Sequence, residues 1–380
     1  MNPDSVSYSR ILSQAIEIAR FPMMLLIVFI HSDICGDTIG GDMPTAAYDV
    51  IYYISQTLAR IAVPIFFFIS GFLYFYNKDV GTPYFYRNQL KKRVKTLLVP
   101  YLLWNLIAIL FTWFKTQPYM ASFFPRMVGV KLGFIDFINA FGPFSFLPEH
   151  GFLGNYDPAS APADVPLWFI RDLMAIMLLA PVVYRIMKGR IGMVTCAVLL
   201  FLFLSGLWPE ACFWFDLTGV CFFCFGAYFS VNGYNPLALV DRHVNTVMPC
   251  LMVLYLLTSI LRVIYASGPV SPYFLALSIV VGMPCFLLIC CKLAARGFKP
   301  MPFLLSATFF MYAFHGLIGS IVKKMVLTML HPTTTVVYVM AFLTVAVLLV
   351  VISLALYALL NKISPSLTAM LSGMRTQKAK

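Results

Sequence analysis

The sequence has 380 residues, of which 61% are hydrophobic and only 11% charged. Soluble domains carry about 25% charged residues, so this chain lacks the polar surface needed to face water and is expected to face lipid. Its formal net charge of +12 lies in short stretches between apolar runs, which argues against nucleic acid and for membrane topology and phosphate-bearing ligands.

A membrane-spanning helix needs roughly 20 mostly apolar residues. Ten such segments occur, at 12–34, 56–76, 97–115, 167–187, 191–208, 212–231, 245–265, 272–292, 302–322 and 335–360. The expected fold is all-α, a polytopic transmembrane helix bundle of about ten spans. Phenylalanine-rich runs such as Phe66-Phe67-Phe68 lack strand alternation, which argues against a β-barrel. No internal repeat is visible. The sequence reads as one membrane domain, 1–365, followed by a short basic tail, 366–380.

The first span carries Glu17 and Arg20 and is followed by no small-residue cleavage site, so it is not expected to be a removable signal. Arg20 and His31 are eleven positions apart. That is three helical turns, about 16 Å along the axis, with both side chains on nearly one face. Ionisable groups inside a span are costly and tend to mark function. The plainer alternatives are an Arg20 that snorkels to headgroups beside Glu17 and a His31 satisfied by a backbone carbonyl. Asp33 lies two residues on and does not share the face of His31; it is expected to be solvated, to orient His31 or to bind sugar hydroxyls. The first outer loop is acidic, with Asp37, Asp42 and Asp49.

Span two opens at Arg60 and contains Pro64-Ile65-Phe66-Phe67-Phe68-Ile69-Ser70-Gly71. A basic loop with Lys78, Arg87, Lys91, Lys92, Arg93 and Lys95 then leads to Leu98-Val99-Pro100-Tyr101. Further basic clusters are Arg185, Lys188 and Arg190, then Lys292, Arg296 and Lys299, then the tail. Their alternation with the acidic loop places both termini in the cytoplasm, with Lys323 and Lys324 against the trend. The connection 116–166, with Glu149, His150, Asp157 and Asp164, is expected outside as a folded cap.

Span four opens Leu167-Trp168-Phe169-Ile170-Arg171-Asp172, where Arg171 and Asp172 read equally well as a structural ion pair or a substrate contact. Of nine cysteines, eight lie in or beside apolar runs. Cys221 and Cys224 have no polar surroundings and read as small buried hydrophobes, so no metal site is expected. Span nine contains Tyr312-Ala313-Phe314-His315. His315 reads as a core histidine or an acceptor contact.

In this order and spacing the chain resembles the integral-membrane acyltransferase family 3, bacterial O-acyltransferases of extracytoplasmic glycans. The resemblance rests on Arg20-x10-His31, the block 64–71, the basic-Leu-Pro-Tyr block 91–101, Leu167-Trp168-Phe169 and Tyr312-x-x-His315, and covers nearly the whole chain. It implies a multi-pass protein of the bacterial cytoplasmic (inner) membrane with Arg20 and His31 essential. It also implies an acyl-CoA donor substrate, with no permanently bound cofactor. Many members carry Arg-x-x-Arg before the third span; here Arg93-Val94-Lys95-Thr96 lacks the second arginine, with Lys92 and Lys95 adjacent. No hydrolase-like domain follows the last span, so transfer is expected to be completed by the membrane domain or by a separate partner.

The expectation is therefore transfer of a short acyl group, acetyl by preference, from acyl-CoA to a glycan or lipid-linked sugar. Arg20, Lys92, Arg93 and Lys95 would hold the CoA phosphates, and His31 would take the acceptor proton. Ser70, Trp168 and Arg171 are candidate oxyanion donors, and Asp172 and His315 further acceptor contacts. A transporter is the competing class, although the repeats and broken helices common among transporters are not seen. A non-catalytic subunit of a polysaccharide synthesis complex is the third.

Overall fold

The computed structural model describes residues 3–36, 42–76, 82–120, 124, 133–141, 162–207, 216–234 and 244–374. All its regular structure is helical. In chain order the helices are α1 (Pro3–His31), α2 (Thr45–Tyr52), α3 (Ala62–Phe75), α4 (Pro83–Arg93), α5 (Val99–Lys115), α6 (Phe134–Asn139), α7 (Trp168–Leu178), α8 (Ala180–Ile186), α9 (Gly189–Ser205), α10 (Leu217–Val231), α11 (Val244–Ile264), α12 (Ser271–Ala295), α13 (Pro302–Leu330), α14 (Thr335–Ile363) and α15 (Pro365–Leu371).

Among the described residues, seven helical stretches are long and apolar enough to cross a membrane: Arg10–His31, Thr45–Phe75, Pro83–Lys115, Val244–Ile264, Ser271–Ala295, Pro302–Leu330 and Thr335–Ile363. The segment Val165–Leu178 and α8 make an eighth if read as one span bent by 65°. Pro181, near the start of α8, cannot donate to the preceding turn, which accounts for the break. The remaining two expected segments are the shorter α9 and α10, of 17 and 15 residues. At 1.5 Å per residue they reach only about 22–26 Å. The residues turned outward are apolar: on α14, Val336, Met340, Leu343, Val347 and Val351 form one exposed stripe. Water would penalise such a stripe and lipid does not. The chain is a multi-pass membrane protein.

Two expected spans begin much earlier than their apolar runs. α2 runs into α3 through a wide π turn, Tyr53–Thr57, and a tight one, Leu58–Ile61. α4 runs into α5 through a second π turn, Val94–Leu98. A proline follows each irregularity, Pro64 and Pro100. Each lacks the N–H for its i−4 carbonyl and crowds that carbonyl, so the turn before it opens. Lys91, Lys92, Arg93 and Lys95 consequently lie on helix or π turn rather than in the expected loop. Lys323 and Lys324 likewise lie inside α13, not after it.

α1 is central, packing on α3, α12, α13 and α14, while α3 pairs with α10 along its length. That pair meets backbone to backbone, because a Cβ on Gly71 would strike the carbonyl of Phe223 and one on Gly226 the carbonyl of Phe68. Small residues permit this approach where no water drives helices together. Cys221 and Cys224 are buried on α10. Part of the expected tail is helical: α15 buries Thr368 and Leu371, and Trp104 Nε1 donates to the Leu371 carbonyl at 3.0 Å. Most of the expected cap, including Glu149, His150 and Asp157, lies outside the described residues, as do Lys78, Asp37 and residues 375–380.

Candidate active site

Residues 20, 24, 27 and 31 of α1 follow a four-three-four spacing and form one stripe. Between Arg20 and His31, Met24 and Ile27 line a cavity of about 100 Å³. Its other walls come from Ser70 and Phe66 of α3, Arg93 and Leu97 at the π turn before α5, Phe169 and its neighbours on α7, and Tyr312 with Thr308 on α13. Segments 24–27, 66–70, 93–97, 169–173 and 308–312 are far apart in sequence and close around one space.

Arg20, one turn before Met24 on the same stripe but off the cavity wall, is half-buried, with no hydrogen bond or ion pair among the described residues. Glu17 one turn earlier is exposed and does not pair with it. Arg93 reaches the cavity with its Nε buried and unpartnered, its guanidinium 6.0 Å from the centre of the Tyr74 ring. Two half-buried guanidinium groups thus retain donors for an anionic or strongly accepting ligand. Lys92 and Lys95 are exposed and do not line the cavity.

His31, one turn after Ile27 on that stripe and likewise off the cavity wall, is half-buried, with its ring centre 5.1 Å from that of His315 at a tilt of 57°. His315 is wholly buried. Its Nδ1 lies 3.0 Å from the Met311 carbonyl, and its Nε2 is buried without a partner. Asp33, just past α1, accepts from the Cys35 N–H at 2.8 Å, from Ser55 Oγ at 3.0 Å and from Gln56 Nε2 at 2.6 Å. Burial pushes the Asp33 carboxyl up, but these hydrogen bonds outweigh it and hold the group below the ordinary carboxylate range. Asp33 is thus charged and committed to the wide turn before α3, where Gln56 in turn accepts from Arg60. Lys323 caps the same corner, donating to the Asp33 carbonyl at 2.9 Å.

Of the expected site residues, Ser70 and Arg93 line the cavity; Arg20 and His31 flank Met24 and Ile27 along α1, and His315 stands beside His31. Trp168 is half-buried at the start of α7, 6.5 Å from the ring of Phe67 and off the cavity wall. Arg171 Nε meets Asp172 Oδ1 at 2.8 Å, and Asp172 Oδ2 accepts the Asp216 N–H ahead of α10. That pair ties α7 to α10 and does not face the cavity. Gln56, Ser55 and Asp164 were not singled out as site groups; polar residues in mixed loops and turns carry no periodic signal. Tyr312 was visible only as part of a motif. Its hydroxyl donates to the Pro166 carbonyl and its ring packs edge-on against Phe169, locking the start of the α7 segment to α13.

A family model described as an acyltransferase domain matches residues 13–362. The chain belongs to this acyltransferase family. The succinoglycan biosynthesis protein ExoH of Rhizobium meliloti (strain 1021) is 23% identical over 231 residues, which cover 60% of this chain and 55% of that protein. The similarity thus spans little more than half the length of that relative. No solved structure matches the chain significantly. All five sequence blocks by which the chain resembles the acyltransferase family contribute to this region: α1 supplies Met24 and Ile27, and the others supply Ser70, Arg93, Phe169 and Tyr312.

Proposed function

We propose that this acyltransferase-family protein moves a short acyl group from coenzyme A to a hydroxyl of a glycan or lipid-linked sugar across the cytoplasmic membrane of a bacterium. The observation that carries the reading is the cavity walled by Arg93, Ser70 and the 24–27 segment of α1, with Arg20 and His31 one turn to either side on the same stripe of that helix. The donor's phosphates sit at the Arg20 end with Arg93, Lys92 and Lys95, by charge complementarity. The thioester extends along the stripe of Met24 and Ile27 toward His31. Acetyl is the preferred acyl group on the resemblance to the family alone.

The acceptor hydroxyl enters from the His31 end. His31 removes its proton as the oxygen attacks the thioester carbonyl, and a tetrahedral oxyanion forms. Ser70, the uncharged hydroxyl on the cavity wall without a described partner, donates to that oxyanion in preference to Trp168 or Arg171. Collapse breaks the carbon–sulfur bond, and the thiolate takes the proton held by His31. The acceptor class follows from the similarity to a protein named for succinoglycan biosynthesis, and other polysaccharide synthesis proteins are the natural partners.

The test uses purified protein, acetyl-labelled acetyl-CoA and candidate glycans. Label moves to the glycan with the intact protein. His31→Ala lowers that rate about 10²–10⁴-fold, the usual contribution of a general base, with unchanged accumulation in the membrane. Undiminished transfer by His31→Ala overturns the mechanism. Label that stays on CoA with every acceptor points to a transporter or a non-catalytic subunit.

A further inference from the structure

His315 is the most deeply buried imidazole among the described residues, at 0% exposure. A carbonyl oxygen only accepts, so the contact of Nδ1 with the Met311 carbonyl at 3.0 Å requires the proton on Nδ1. In the neutral ring, Nε2 is then a bare lone pair, an acceptor and nothing else. It is buried and unpartnered. An orphaned acceptor in a low-dielectric interior is costly and calls for a reason. Its aromatic neighbours are Tyr312, whose hydroxyl is already donated to the Pro166 carbonyl, and His31. The ring nitrogens of His31 make no hydrogen bond among the described residues.

We infer that His315 is a positioning residue for His31: Nε2 of His315 accepts the ring N–H of His31 during turnover. That bond fixes the tautomer of His31, leaving its other nitrogen unprotonated toward the acceptor hydroxyl. The ring centres, 5.1 Å apart, close by a small rotation of His31, and catalytic hydrogen bonds are commonly loose before substrate binds. When His31 takes the hydroxyl proton, His315 stabilises the imidazolium through the same bond. No proton passes to His315; the one gained by His31 goes on to the leaving sulfur. Full burial excludes His315 from direct contact with the acceptor in this conformation. This inference rests on His31 acting as the base.

Two substitutions of similar size separate this role from packing. His315→Gln keeps an acceptor oxygen near the position of Nε2, and His315→Met does not; His315→Leu replaces the latter if it fails to accumulate. The expected result is a kcat about tenfold or more lower for His315→Met, with KM for donor and acceptor unchanged and substantial recovery in His315→Gln. Adding His315→Met to His31→Ala then costs nothing further, because the two residues act as one unit. Equal loss in the Gln and Met variants, an altered acceptor KM, or an additive double variant would overturn it. If His31→Ala itself stays active, the parent reading fails; if only His315→Met stays active, this inference alone fails.

Discussion

At the residue scale, the structure separates ionisable groups that serve the cavity from those that serve the frame. Arg93 keeps an unused donor at the cavity and Arg20 makes no hydrogen bond or ion pair among the described residues, whereas Arg171 is held by Asp172 and Asp33 is committed to the turn before α3. Asp164 belongs to neither set. It is 1% exposed, both carboxyl oxygens lack partners, and it packs against Gly316, beside His315. Burial pushes this carboxyl well above its ordinary value, so it is held neutral. The sign follows from linkage. The folded state keeps a proton that the unfolded chain loses above about pH 3.9. The stabilising contribution is complete below that value and shrinks as pH rises toward the folded value. Asp164→Asn, which cannot ionise, should therefore melt at a higher temperature than the parent protein near pH 8. The difference should close near pH 4. A constant difference across that range would show that ionisation of Asp164 is not what is being read.

At the element scale, two features shape the site: close contact of α3 with α10, and wide turns before α3 and α5. Gly71 and Gly226 set the first, since the atoms a Cβ would meet are backbone carbonyls that cannot swing aside. Gly226→Val forces the helices apart, and overpacking of this kind costs about 1–3 kcal/mol. Thermal unfolding in detergent should show a lower midpoint, and activity should fall because α3 carries Ser70 into the cavity wall. An unchanged midpoint would mean that the two helices are not held in contact. The wide turns place Ser55 and Gln56 on Asp33 and bring Leu97 beside Arg93 at the cavity. Such π turns recur at functional sites because one extra residue per turn re-aims the side chains around it.

At the scale of the whole molecule, each of the ten apolar segments expected from the sequence is helical over most of its described residues, and seven of them meet the length and hydropathy of a span. Charge alternation predicts both termini on the cytoplasmic side. A reporter that fluoresces only in the cytoplasm, fused in turn to each end, should light from both; a dark C-terminal fusion that still accumulates would require an odd number of crossings. A second cavity of about 400 Å³, almost wholly apolar, lies on the far side of α3 from the first, bordered by Leu12, Ile16, Phe68 and Phe72. Phe68 and Phe72 fall on the opposite face of α3 from Phe66 and Ser70, so α3 stands between the two spaces.

Apolar runs too long for a soluble core determine a helical membrane bundle, because unpaired backbone groups are not tolerated in lipid. The eleven-residue spacing places Arg20 and His31 on one face, because helix periodicity is local. Helix boundaries at Thr45, Pro83 and Leu330 were not legible, since polar residues extend a helix past its apolar stretch without a hydropathy signal. Only the tertiary structure decided that Arg93 and Ser70 share a cavity with α1 while Lys92, Lys95 and Trp168 do not. It alone set His315 beside His31 and turned Arg171 to Asp172. Those outcomes depend on which faces of separate helices meet, and that is decided by close packing among residues hundreds of positions apart.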